Sequence, residues 1–347
     1  MSCSRVAFLI GSLLFTGLCN AQEHASAAKP DPALDAYARP GTLIDVGAGR
    51  NINLRCAGSG TPVVMLESGN VADSMAWLKV QPEIAKFTRA CAYDRAGIGY
   101  SDGGPLPRNL DANADDLFAL IHAAKIATPV VLVGHSYGTN VVRRAAEKHA
   151  QDVAALILID PPPQNIGEFS AEFDKAEAEE TAAGLAAYRK CAEGAEKKQL
   201  DAGLPELKPC LRGPNPAYSD TLNAALHARK ILPAFWQMII SITESNAEMY
   251  KQAVSPKESH AATPLLILQP DTPFADSPPE IQKPMEQARQ KTHKAIAATS
   301  SRSRIIAVAK SSHDVQFDQP AAVVSAVREA IEQAKSKSAN AKHATGG

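Results

Sequence analysis

Apolar residues along the chain gather in short β-branched runs near 43–47, 51–56, 62–67, 89–94, 129–133, 154–160, 264–269 and 304–309. Runs of this length, apolar at nearly every position, read as strands buried on both faces of a parallel sheet. Between them lie stretches of helical period: "AWLKVQPEIAKF" (76–87), "NADDLFALIHAA" (113–124), the residues after Gly138, "PPEIQKPMEQARQKTHKAIA" (278–297) and "PAAVVSAVREAIEQA" (320–334). Pro320 suits a first helical turn. Strand and helix in alternation predict an α/β fold, a mostly parallel eight-stranded sheet with helices on both faces.

One interval breaks the rhythm. Residues 165–262 contain acidic helical segments, a proline-broken stretch and "ILPAFWQMIISITESNAEMYKQAV", with no strand pattern. Inserted after the sixth strand, they predict a helical cap over the C-terminal edge of the sheet. The core is then 41–164 together with 263–335. Residues 22–40 and 336–347, lacking apolar periodicity, read as a flexible leader and a disordered tail.

Composition changes the picture in two places. The 36 basic and 37 acidic side chains nearly balance and form no basic stripe, which argues against nucleic acid as a partner and for a small molecule. Arg5, the apolar run from Val6 to Leu18 and the small residues before position 22 form a secretory signal, cut after Ala21. That run is short for a bilayer span, which takes roughly 20 residues, so no stable membrane anchor is expected after cleavage. Leu18 is too bulky to precede a lipidated Cys19. A secreted or periplasmic destination makes Cys56, Cys91, Cys191 and Cys210 candidates for disulfides, and their spacing does not fit a metal site.

The chemistry centres on "VVLVGHSYGTNVVRRAA" (130–146). A serine on a sharp strand-to-helix turn, with glycines two before and two after it, is a nucleophile elbow, G-x-S-x-G. Ser136 is lifted above the sheet edge beside a helix N-terminus, where a developing anion is stabilised. Its base is expected to be His313, in "AKSSHDVQFDQPAAVV", since a neutral imidazole accepts a proton near pH 7.

Taken together, "LESGNVADSMAW", "ACAYDRAGIGYSD", "VVLVGHSYG", "LILIDP" and "SSHDVQFDQP" occur in an order that resembles the α/β-hydrolase superfamily, in particular its exported, capped bacterial serine hydrolases. The resemblance covers about residues 41–335, the cap least. It implies an oxyanion hole from the backbone N–H groups of Asn70 and Tyr137, Val71 being the alternative to Asn70. It also implies an acid partner for His313, either after the sixth strand (Asp160) or after the seventh (Asp271, with Asp276 beyond it). Asp94 and Arg95 are read as braces of their loop, and Thr139, where relatives carry glycine, as tuning helix packing. In this fold the second strand lies antiparallel to the fourth, which implies a Cys56–Cys91 bridge and leaves Cys191–Cys210 to tie the cap.

The activity so implied is cleavage of a carboxylic ester or lactone, without metal or organic cofactor. A serine at the elbow argues against the branches of the superfamily that use aspartate there. Phe235, Trp236, Met238, Ile239 and Ile240 of the cap are candidates for the wall of an apolar acyl pocket, or else pack the cap onto the core. An amidase or aminopeptidase with the same triad, a lipase acting at an interface, and a non-catalytic ligand-binding homologue are the alternatives.

Overall fold

In a computed structural model the chain is described over residues 30–344 apart from positions 212 and 276, and its side chains through residue 335. The expected signal segment, residues 1–21, lies outside the described residues. The strands are β1 (Thr42–Asp45), β2 (Asn51–Ala57), β3 (Val64–Glu67), β4 (Ala90–Tyr93), β5 (Val130–His135), β6 (Val153–Ile159), β7 (Leu265–Pro270) and β8 (Ser303–Val308). The helices are α1 (Gln81–Ile84), α2 (Leu110–Ala123), α3 (Tyr137–Lys148), α4 (Ala171–Glu196), α5 (Asp220–Lys230), α6 (Pro233–Tyr250), α7 (Pro279–Ala298), α8 (Val315–Asp318) and α9 (Pro320–Ala344).

All eight expected runs are strands of one sheet, in the order β1-β2-β4-β3-β5-β6-β7-β8. Only the β1–β2 and β2–β4 pairs are antiparallel. The strand period of two decides the layers. Val130 and Leu132 point to a face covered by Leu117, Phe118 and Ile121 of α2 and Val142 of α3. Val131 and Val133 point to the opposite face, covered by Val323, Val327 and Ala330 of α9. Each such Val or Leu contributes about 1.5–3 kcal/mol on burial, so a one-residue slip in β5 would forfeit several contacts at once.

Between β6 and β7 the described residues form helices and turns, with α4 packed on α6 and a 3₁₀ turn at Pro205–Cys210, giving the cap after the sixth strand. Among the described residues, no helix is long and apolar enough to cross a membrane.

Three expectations change. Residues 76–87 are not one helix but a 3₁₀ turn, Ser74–Trp77, capped by the Asp73 carboxylate, followed by the short α1 with Pro82 in its first turn. Part of the expected flexible leader, Pro32–Ala38, is a 3₁₀ helix capped by Asp31, and the Asp35 carboxylate accepts from the Ser219 hydroxyl beside α5. The expected disordered tail instead prolongs α9 to Ala344, over alanines and lysines that favour helix.

Cys56 faces Cys91 in the antiparallel β2–β4 register and the two sulfurs are bonded. Cys191 of α4 is likewise bonded to Cys210, 19 residues on. A closed loop of that size stabilises by about 3 kcal/mol, mainly by restricting the unfolded chain. The Cys191→Ala/Cys210→Ala pair should lower unfolding free energy by about that amount in urea. Non-reducing peptide mapping of the wild type checks the pairing, and crossed linkages would refute it.

Candidate active site

β5 ends at His135 and α3 begins at Tyr137, so the single residue between them makes the whole turn. Ser136 has φ 51° and ψ −126°, a conformation that costs a non-glycine residue of order 1–3 kcal/mol. The flanking glycines are needed for contact. A Cβ on Gly134 would stand 2.5 Å from the Gly138 carbonyl oxygen, and one on Gly138 would stand 2.6 Å from the Ser68 carbonyl oxygen. Strand, helix and the loop after β3 thus converge at the serine. The elbow is pinned on both sides: Ser136 N–H donates to the Ile159 carbonyl at 3.0 Å, and its own carbonyl accepts from Thr139 N–H at 2.9 Å and the Thr139 hydroxyl at 2.7 Å. Thr139 therefore supplies a bond that glycine could not. Ser136 is buried, at 5% exposure.

His313 lies on the loop between β8 and α8, its ring 4.7 Å from the ring of His135, the neighbour of Ser136. His135 Nε2–H donates to the His313 carbonyl at 3.1 Å, tying the loop to the elbow. Nδ1–H of His313 donates to Asp160 Oδ2 at 2.7 Å. Its Nε2 is buried and has no hydrogen-bond partner among the described residues. A histidine oriented by a carboxylate at one nitrogen and free at the other can take a proton from a hydroxyl brought to it. Burial alone would lower the His313 pKa, but the bond to Asp160 and the charges of Asp160 and Asp314 outweigh it and raise it above the usual value. Burial pushes the Asp160 carboxyl up, and the His313 bond with the nearby His293 and Arg289 brings it below its usual range. For His135, burial and the neighbouring His313 push the imidazole down to about 4, so it stays neutral.

The structure brings Asp160, and not Asp271, to His313. Asp160 follows β6 directly, with φ 43° and its N–H on the Leu268 carbonyl, so the chain turns there and the carboxylate is left at the sheet edge. Asp271 instead accepts from Lys310 N–H at 2.9 Å and Ser311 N–H at 3.0 Å, which satisfies the backbone leading into the histidine loop. Those bonds hold its carboxyl below the usual range. Asp276 lies outside the described residues.

The loop after β3 is shaped by Arg95. Its guanidinium, 3% exposed, donates to the carbonyls of Ser68 (2.6 Å), Gly69 and Asn70 and pairs with the Glu67 carboxylate, to which Tyr93 also donates. Burial pushes Glu67 up to about 7 although Arg95 opposes it. A Cβ built on Gly69 would lie 3.5 Å from Ser136 Cβ, so this loop passes directly beside the serine. With three successive carbonyls drawn to Arg95, the loop has a fixed conformation at the place where the Asn70 N–H would serve. The Tyr137 N–H, at the start of α3, has no acceptor within its own helix. Asp94 braces its loop as expected, accepting from Asn53, Ser74 N–H and Tyr100 N–H.

Trp236, Met238 and Ile239 of α6 are buried in one cluster with Ile98, Tyr137 and Val141. They pack the cap onto the core, and Trp236 Nε1–H is spent on the Lys230 carbonyl at 2.8 Å. Phe235 and Ile240 are only partly buried at the margin of that cluster. The sequence reading missed two contacts: the carbonyl grip of Arg95, taken only as a loop brace, and Arg289, whose link to Asp160 spans 129 positions. No local pattern signals the latter.

Comparisons with known proteins agree with the fold. The profile of the Alpha/beta hydrolase family matches residues 63–326. The chain is 30% identical over 113 residues to YqjL of Bacillus subtilis (strain 168), an uncharacterized protein, covering 33% of this chain and 45% of that one. The match thus spans less than half the length of that curated relative. A thermophilic esterase from Thermogutta terrifontis superposes with TM-score 0.55 at 23% identity, over 84% of this chain and 98% of that one. An epoxide hydrolase from Bacillus megaterium superposes with TM-score 0.58 at 15% identity, over 84% and 100%. At such identities the structures share the fold. A profile match running from β3 into α9, over a sheet of this order with the elbow after β5, means that the chain belongs to the α/β-hydrolase family.

Proposed function

We propose that the protein is an exported serine hydrolase that cleaves a carboxylic ester or lactone through an acyl-enzyme. The observation that carries the reading is His313, bonded through Nδ1–H to Asp160, free at a buried Nε2, and packed on His135, the neighbour of a serine held at positive φ. Ser136 Oγ attacks the substrate carbonyl carbon while His313 Nε2 takes its proton, and the oxyanion is met by the N–H groups of Asn70 and Tyr137. The tetrahedral adduct collapses as the imidazolium gives its proton to the leaving alkoxide. Water, deprotonated by the same nitrogen, then attacks the acyl-enzyme and releases the acid and Ser136. In apo enzymes the serine–histidine bond is commonly long and tightens with substrate.

Val71, Phe235 and Ile240, partly buried against the apolar cluster that contains Tyr137, support an apolar acyl group. Two disulfides are compatible with an extracellular protein.

Intact-mass labelling with a fluorophosphonate tests the reading. The wild type is expected to gain one adduct and Ser136→Ala none, and an ester, lactone and anilide panel then sorts the substrate class. A folded wild type that takes no adduct would overturn the proposal.

A further inference from the structure

Only one oxygen of the Asp160 carboxylate faces His313. The other, Oδ1, lies 3.2 Å from Arg289 Nη1 and 3.8 Å from His293 Nε2. Arg289 and His293 are four apart on α7, so one face of that helix presents both to the carboxylate. Both are removed from water, with side chains 3% and 0% exposed. Arg289 is held in turn by the Pro270 carbonyl at 3.1 Å from Nη1 and by Glu286, 2.8 Å from Nε. His293 Nε2–H donates to the Pro161 carbonyl at 2.9 Å.

We propose that Arg289 is a positioning residue for the Asp160–His313 pair: it fixes the plane of the carboxylate and supplies the charge that keeps His313 available as a neutral base. This rests on the serine-hydrolase reading above. Occupation of Oδ1 leaves the carboxylate no freedom to rotate, so Oδ2 stays aimed at Nδ1. The electrostatic part follows from treating Asp160 and His313 as one unit that binds a proton. A nearby positive charge lowers the affinity of that unit wherever the proton resides.

The charged and titratable groups facing the pair are Arg289, Glu286 and His293 from α7, Asp314 from the histidine loop and His135 from the end of β5. Burial lowers the proton affinity of both His293 and His135, so the charge that His293 adds beside Asp160 in acid is shed as pH rises, whereas that of Arg289 is not. Arg289 is therefore the fixed positive charge acting on the pair, against Glu286 and Asp314. Without it the pair holds its proton to higher pH, and His313 is a base over a narrower range.

The test measures the second-order rate of fluorophosphonate reaction at Ser136 against pH, using the whole protein. Arg289→Met should move the acidic limb to higher pH and slow the plateau by up to about 10²-fold, the cost of misplacing a reacting group. Arg289→Lys, which keeps the charge without the planar fork, should restore the limb but not the full plateau. Glu286→Gln removes the negative charge that offsets Arg289 and should move the limb to lower pH. This variant tests the proposal independently if Arg289→Met fails to fold by circular dichroism. A wild-type limb in each variant that folds would overturn it. A wild-type protein that takes no label would sink the serine-hydrolase reading, and this inference with it.

Discussion

An Asp160→Asn variant should turn over an activated ester with kcat lower by about 10⁴-fold, because the amide forces the wrong histidine tautomer. The direction follows from both ends of the side chain. Arg289 offers only donors, so the amide oxygen is drawn to its Nη1 and the NH₂ turns to His313 Nδ1. Nδ1 must then accept, its proton moves to Nε2, and the nitrogen needed to receive the serine proton is already occupied. Asp271→Asn should behave differently. It weakens two bonds to the Lys310 and Ser311 N–H groups at an exposed site, which should cost little stability, and keeps kcat within about tenfold of the wild type. Steady-state kinetics of the two variants side by side decides between the acids. A larger loss at Asp271 would reverse the assignment.

The second large effect is expected at Arg95. Replacement by Met removes donors to three consecutive carbonyls and to Glu67, so the loop beside Ser136 loses the anchor that sets its peptide planes. Loss of one oxyanion donor lowers kcat by about 10²–10³-fold, and a loop free to rotate its Asn70 peptide should approach that figure. Stability should also fall, by up to about 3–5 kcal/mol for a broken buried ion pair. Glu67, already pushed up to about 7, escapes part of that penalty by taking a proton. Arg95→Lys should not rescue kcat, since a single ammonium cannot span carbonyls on successive residues. The check is kcat together with the thermal melt. A lowered Tm with unchanged kcat would make Arg95 a brace and nothing more.

These two residues also mark where sequence reasoning stops. Parallel strands buried on both faces leave continuous apolar runs, so all of the sheet was legible, and the elbow carries its own glycine signature. His313 follows a strand in a recognisable loop. The choice between Asp160 and Asp271 depends instead on which carboxylate the tertiary turn after each strand leaves free. At Asp271 the backbone of the histidine loop consumes it. Residues 76–87 carried a helical period, but Asp73 captures the Met75 N–H and starts a 3₁₀ turn that closes before Pro82. Arg289 sits in a helix rich in Lys, Arg, Gln and Glu, where one buried cation looks like its solvated neighbours until α7 is docked.

The chain leaves the sheet for the cap through Pro161, Pro162, Pro163 and Gln164, and α7 holds both ends of that stretch: His293 on the Pro161 carbonyl, and the Thr292 hydroxyl accepting from Gln164 N–H at 2.9 Å. Forces on the cap are therefore grounded in α7 before they reach Asp160. Asp160 and the root of the cap thus share one support, so a change in how α7 docks is felt at the carboxylate and at the entrance to the cap together.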